Sequence, residues 1–195
     1  MNASSPIDRW ISQKLHPIGD AAYRNRLIET FEKNGVLVLI GFFTADFVTQ
    51  VVAESAERES EAYFANSTHN VYLTAPDPTV APDHAFNRQV LSSKGLIADD
   101  QITRESPLRA VYESQEFTEF LCALLKIDRI YPYEDDLSSI NVHFAPADKE
   151  LGWHFDNSSF AVTTLLQAPE NGGLFQYCLL YTSDAADEED SVDLG

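Results

Sequence analysis

The segment from Ser139 to Tyr177 restricts the fold more than any other part of the chain, because it consists of strand-like runs separated by turns. Its first six residues alternate polar and apolar side chains: Ser139, Ile140, Asn141, Val142, His143 and Phe144. Alternate residues of a β-strand point to opposite faces, so this pattern predicts a strand with one wet face and one buried face. A second β-rich run over Phe160–Gln167 precedes the turn Asn171-Gly172-Gly173. These features predict a β-rich core with a polar interior.

A histidine and an aspartate two residues apart lie between the two predicted strands. Because residues i and i+2 of a strand share a face, the side chains of His154 and Asp156 should project together. An imidazole and a carboxylate on one face are two of the three ligands in the facial triad of non-haem Fe(II) oxygenases. The third ligand would be a distant histidine. The flanking Trp153 and Phe155 point the other way by alternation and are expected to pack in the core.

Composition and charge narrow the class of protein. A chain of 195 residues with 44% hydrophobic content suits one globular domain. Its net charge of −18 leaves no basic surface to neutralise phosphates, which argues against a nucleic-acid partner. No apolar run is long enough to span a membrane and the start lacks a signal-peptide core, so we expect a soluble cytoplasmic protein without a membrane partner. Nothing in the sequence specifies an oligomeric state.

The amino-terminal half predicts helices and one strand ahead of the β-rich core. The predicted elements are a helix over 20–33, a buried strand over Val36–Ile40, a helix from Thr44 to about Tyr63, and a helix from Ser106 to Lys126. Prolines break the pattern between Asn66 and Asp100, where we expect a long loop with short strands over 70–74 and 85–91.

With these residues in place, the chain resembles the Fe(II)/2-oxoglutarate-dependent dioxygenases of the phytanoyl-CoA-hydroxylase-like branch over most of Val36–Tyr177. The stretch Trp153-His154-Phe155-Asp156, with its strand context, is similar to the subgroup of free amino-acid hydroxylases and lysine halogenases. The resemblance implies an α+β fold, a double-stranded β-helix (jelly-roll) core with amino-terminal helices. It also implies Fe(II) held by His154 and Asp156, 2-oxoglutarate as co-substrate, and O₂.

The resemblance implies roles for four further residues: Asn141 and Thr163 would bind 2-oxoglutarate, and Arg88 and Asn157 would contact the substrate. It implies hydroxylation of a small molecule, with a free amino acid or its derivative as the first expectation. Asp156 favours hydroxylation because the related halogenases carry a small residue there, which makes room for chloride.

Each of these residues could instead have a purely structural role. A polar residue inside a barrel can serve a buried hydrogen-bond network, and an arginine is exposed by default. His143 could bind 2-oxoglutarate, although a satisfied interior histidine is the favoured interpretation. The competing class is a non-catalytic, cupin-like β-barrel binding protein in which the His-Asp pair is incidental.

The segment 178–195, CLLYTSDAADEEDSVDLG, does not continue the strand pattern and ends in an acidic run. It resembles the conceptual translation of a sequencing adapter, and an acidic disordered tail is the alternative. We therefore predict a partial dioxygenase domain over 1–177, truncated at its carboxyl end and followed by a non-native tail. In the family the distal metal histidine and the arginine that binds the far carboxylate of 2-oxoglutarate come later. The chain as given is therefore expected to bind iron weakly and to turn over little.

Overall fold

A computed structural model describes residues 6–135 and 137–178 of the chain. Its helices and strands are, in order, α1 (Ala21–Asn34), α2 (Ala45–Arg58), β1 (Tyr63–His69), β2 (Val90–Ile97), α3 (Pro107–Tyr112), α4 (Gln115–Leu125) and β3 (Val142–Phe144). Short 3-10 turns lie at Pro6–Arg9, Glu59–Glu61, Ala85–Asn87 and Asp99–Gln101. Helices combined with an antiparallel sheet confirm the predicted α+β class. Apart from Cys178, the predicted adapter-derived tail lies outside the described residues.

The first two helices begin where the sequence predicts, and Thr44 is the predicted cap of the second. The carboxylate of Asp20 accepts a hydrogen bond from the Tyr23 N–H at 2.6 Å, and Gly35 ends α1 with a φ of +66°. Thr44 caps α2 by accepting a hydrogen bond from the Phe47 N–H at 3.3 Å. However, α2 ends at Arg58 rather than near the predicted Tyr63, because Tyr63 is already the first residue of β1.

The single helix predicted from Ser106 to Lys126 is two helices. Ser106 caps α3 by accepting a hydrogen bond from the Leu108 N–H at 3.1 Å. Ser114 then caps α4 by accepting one from the Phe117 N–H at 3.3 Å. A serine side chain that bonds to the backbone offers it an alternative to continuing the helix, which accounts for the break.

The sheet has the strand order β1-β2-β3, with both pairs antiparallel. One face carries Ile97 and Val142, which are buried with Ile102 and Ile140 and pack against α3 through Leu108 and Tyr112. Asn141 and His143 alternate with these residues and are exposed, so the predicted alternation is confirmed. The regular strand is shorter than predicted, since only Val142–Phe144 pairs with β2.

Several predicted strands are not formed. Val36–Ile40 pairs with no other described segment and forms no strand, and Leu37 and Leu39 pack instead against the cluster of Ile11, Phe42 and Phe120. Phe160–Gln167 and residues 70–74 also lack strand structure, whereas the run predicted over 85–91 becomes a 3-10 turn followed by β2. A β-rich sequence needs a partner for its backbone groups before it forms a strand. The three strands of the described residues do not form a jelly roll, so that fold stays a prediction.

A largely buried ion pair between Arg109 and Asp99 holds the residues that precede β3 in place. Nη2 of Arg109 donates hydrogen bonds to Oδ1 of Asp99 at 2.7 Å and to the carbonyl oxygen of Ile102 at 3.0 Å. The hydroxyl of Ser139 donates to the other oxygen of Asp99 at 2.5 Å. The carboxylate therefore ties α3 to the residues that precede β3. Within 6–135 and 137–178, none of the helices combines the length and the apolar character that crossing a membrane requires.

Candidate functional site

The structure brings the side chains of His154 and Asp156 together. Nε2 of His154 lies 3.5 Å from Oδ1 of Asp156. The histidine side chain is 26% exposed and the aspartate side chain 60% exposed. The two residues thus project to the same side, as the i, i+2 spacing predicts, although no regular strand covers residues 151–156.

Hydrogen bonding fixes the protonation pattern of the His154 ring. Nδ1 lies 2.8 Å from the carbonyl oxygen of Gly152, and because a carbonyl only accepts, Nδ1 must be the nitrogen that donates. In the neutral ring, Nε2 then keeps its lone pair and faces the Asp156 carboxylate. Two acceptors this close repel one another unless a proton or a cation lies between them.

This donor set fits a divalent metal ion. Metal-ligand bonds of about 2 Å from an imidazole nitrogen and a carboxylate oxygen can converge on one ion across such a spacing. One imidazole and one carboxylate also match two ligands of the non-haem Fe(II) triad. The hydrogen bond from Nδ1 to a backbone carbonyl is the kind of contact that orients metal-binding histidines.

A second imidazole, that of His69, lies beside this pair. The rings of His69 and His154 meet edge to face, with centroids 6.1 Å apart and planes at 87°. Nδ1 of His69 lies 2.9 Å from the Asn70 carbonyl oxygen. Sequence reasoning missed this neighbour, because only the fold brings the end of β1 to residue 154. Within the described part of the chain, no three His, Cys, Asp or Glu side chains are arranged to hold a metal ion.

Backbone contacts hold the segment that carries His154 against the sheet. The Ser93 N–H donates to the Glu150 carbonyl at 2.7 Å, and the Phe155 N–H donates to the Val71 carbonyl at 2.8 Å. Between them, a Cβ atom at Gly152 would lie 2.4 Å from the Leu91 carbonyl oxygen. Glycine is therefore required where the chain passes β2, two residues before His154.

Aromatic side chains border the pair on the long loop between β1 and β2. Phe155 stacks on Tyr72 with ring centroids 5.3 Å apart, and Tyr72 stacks on Phe86 at 4.8 Å. The expectation that Trp153 and Phe155 lie in the core is wrong, since they are 52% and 40% exposed. Phe155 instead joins the loop to the segment that carries His154.

The other predicted site residues make few contacts. The Asn141 side chain donates to the Ser138 carbonyl at 3.1 Å. Arg88, Asn157 and Thr163 are exposed, and within 6–135 and 137–178 their side chains form no hydrogen bond or ion pair. A cavity of about 250 Å³ near the amino terminus shares no lining residue with the His154 and Asp156 pair.

Comparison with known protein families gives a match over most of the chain. A family model described as Halogenase D matches residues 20–192. The matched range covers α1 to β3 and the His154 and Asp156 pair, and it continues into the segment predicted to be adapter-derived. No curated protein and no solved structure matches the chain.

Proposed function

The chain belongs to the halogenase D family, and on that premise we propose that it is an Fe(II)- and 2-oxoglutarate-dependent oxygenase that hydroxylates a small molecule. A free amino acid or its derivative is the first candidate substrate, and a jelly-roll core is part of the proposal. The observation that carries it is the approach of His154 Nε2 to Asp156 Oδ1, at 3.5 Å. This arrangement supports a shared metal ion, because both atoms are acceptors.

The protein's own residues would bind and orient the reactants. Iron, with 2-oxoglutarate and O₂, would supply the oxidising chemistry when bound. The Gly152 carbonyl keeps the His154 proton on Nδ1 and leaves Nε2 for the metal. The remaining proposed roles are those of Asn141 and Thr163 toward 2-oxoglutarate and of Arg88 and Asn157 toward the substrate.

Asp156 distinguishes hydroxylation from halogenation. The family description names a halogenase, and halide transfer requires that a halide occupy a position on the metal. A carboxylate ligand fills that position and also neutralises part of the metal charge. The acidic side chain beside His154 therefore supports hydroxylation by this chain, despite the family's name.

Succinate formation tests the proposal. Purified protein would be incubated with Fe(II), 2-oxoglutarate, O₂ and a panel of free amino acids, and both succinate and the oxidised amino acid would be quantified. We expect slow, substrate-dependent turnover that is lost in His154→Ala and in Asp156→Ala. Asp100→Asn removes an exposed carboxylate that the proposal gives no role, and it should leave turnover unchanged. Turnover that persists in both site variants would contradict the proposal.

The competing proposal is a cupin-like binding protein without catalysis. It is favoured by the presence of only two candidate metal ligands, without a third, in the described part of the chain. Such a protein would bind a small molecule with the same affinity in the wild type and in Asp156→Ala, and it would form no succinate with any amino acid.

A further inference from the structure

Lys94 and His143 meet on the polar face of the sheet. Lys94 lies on β2, and His143 on β3 is opposite Leu96, two residues further along β2. The Lys94 ammonium lies 3.4 Å from Nδ1 and 3.5 Å from Nε2 of the His143 ring. Residues two apart on a strand share a face, so both side chains lie on the side opposite to the buried Ile97.

Hydroxyl groups continue this face beside Lys94. Ser92 precedes Lys94 by two residues on β2, and Ser67 of β1 is directly opposite Ser92. Directly opposed residues of an antiparallel pair point to the same side of the sheet. The same alternation places His69 at the end of this face, where it meets His154. A cation, an imidazole and two hydroxyls thus line one side of the sheet.

The positive charge of Lys94 has no acidic partner in the part of the chain that the structure describes. The chain has 31 acidic and 13 basic residues, yet in the described residues no carboxylate forms an ion pair with the Lys94 ammonium. Partial burial lowers the pKa of Lys94. Holding a cation partly out of water without a counter-ion costs stability, and a bound anion would offset that cost.

His143 is neutral at physiological pH. Its ring keeps part of its surface exposed, but loss of surrounding water and then the charge of Lys94 lower the pKa of His143 to about 4. A neutral imidazole can accept a hydrogen bond from the ammonium through one nitrogen and donate through the other. The pair therefore offers a single positive charge and an additional N–H donor.

We propose that Lys94 and His143 bind a carboxylate group of a small-molecule ligand on the polar face of the sheet. A carboxylate carries one negative charge and several acceptor sites, which match one ammonium, one imidazole N–H and the serine hydroxyls. The inference deepens the proposed function and relies on it only for the identity of the ligand, because binding of the carboxylate requires no iron.

Two ligands of the proposed reaction carry a carboxylate group: 2-oxoglutarate and an amino-acid substrate. Lys94 is four residues from Val90, the residue opposite His69, so their backbone positions are about 13 Å apart along β2. A ligand held by its carboxylate at Lys94 would extend along the polar face toward His69 and His154. Titration of each ligand by itself distinguishes the two sources.

Calorimetric titration of the whole chain, freed of metal on a chelating resin and kept in a carboxylate-free buffer at constant ionic strength set with NaCl, measures this binding without metal. The probes are 2-oxoglutarate, succinate, L-lysine and L-leucine. We expect saturable binding of the dicarboxylates or of the amino acids, with dissociation constants raised about tenfold or more by Lys94→Met. Lys94→Arg keeps the charge and should retain most of the affinity, while Lys14→Met, at an exposed lysine, should change nothing.

Two results would overturn the inference: no binding of any probe to the wild type at millimolar concentration, or unchanged affinities in both Lys94→Met and His143→Gln. Misfolding is excluded by urea unfolding, in which Lys94→Met without ligand should be at least as stable as the wild type, because it removes a partly desolvated charge. Since the titration is done without iron, failure of the oxygenase assay leaves this result unaffected, and the two proposals can fail separately.

Discussion

Nε2 of His154 faces Oδ1 of Asp156 at 3.5 Å, while Nδ1 of the same ring donates to the carbonyl of Gly152. The hydrogen bond to Gly152 determines the state of Nε2, because a neutral ring that donates through Nδ1 has no proton on Nε2. The backbone around Gly152 therefore controls both the position and the protonation pattern of the candidate metal ligand. Close packing of that backbone against β2 is open to a direct test.

Gly152→Ala should displace the segment that carries His154. The added methyl group would meet the Leu91 carbonyl oxygen at 2.4 Å, so the chain must move away from β2. We expect a loss of about 1–3 kcal/mol in the free energy of unfolding, measured with urea, together with weaker metal binding. Gly19→Ala is the matched control, because nothing lies within 4 Å of the position that its methyl group would take, and it should be neutral or slightly stabilising. Equal effects of the two substitutions would contradict the packing described.

Arg109→Met should be among the more destabilising single changes outside the hydrophobic clusters. It would leave the Asp99 carboxylate, whose side chain is 12% exposed, without its cation. Removing one partner of a buried pair costs about 3–5 kcal/mol, and the partial exposure here favours the lower end of that range. Arg58→Met removes a more exposed partner of Glu61 and should cost about 1 kcal/mol or less. Similar urea midpoints for both variants would show that the Arg109 pair is not buried in solution.

Lowering the pH should reduce the free energy of unfolding, because the unfolded chain takes up a proton at His143 more readily than the folded protein does. Its pKa is about 4 in the folded protein and near 6.5 in an unfolded chain, so between these values the unfolded state binds more protons. The free energy of unfolding should therefore fall as the pH falls from about 6.5 to about 4. Loss of surrounding water is the main cause of the low pKa and the charge of Lys94 adds to it, so Lys94→Met should raise the His143 pKa part of the way toward its ordinary value in an NMR titration.

His143→Gln should flatten this pH dependence, measured by urea unfolding at several pH values within that window. His84→Gln, at an exposed histidine, should keep the wild-type slope. A wild-type slope in His143→Gln, or a His143 pKa that does not move in Lys94→Met, would show that the two side chains do not interact as described.

Local signals in the sequence were sufficient to predict where helices start and that His154 and Asp156 lie close together. Thr44 and Ser106 begin helices as predicted, and α1 lies within one residue of the predicted range, since a helix start depends on a few neighbouring residues. The approach of His154 to Asp156 did not require a regular strand, since none covers residues 151–156.

Features that depend on distant parts of the chain could not be predicted. The run Val36–Ile40 has strand composition but finds no partner, and composition cannot reveal whether a partner is present. The apolar periodicity continues across the break at Ser114, and for that reason the sequence predicts one helix where the structure has α3 and α4. The contact of His69 with His154 and the contact of Lys94 with His143 both arise from the arrangement of the sheet, which no local pattern encodes.

Anaerobic titration of Fe(II) into the purified chain tests the central claim most directly. The comparison is between the wild type, His154→Ala, Asp156→Ala, and the exposed-site control Asp100→Asn. We predict weak but saturable binding in the wild type and in the control, and a dissociation constant raised about tenfold or more in each site variant. Equal Fe(II) affinity in all four proteins would show that His154 and Asp156 do not bind the metal.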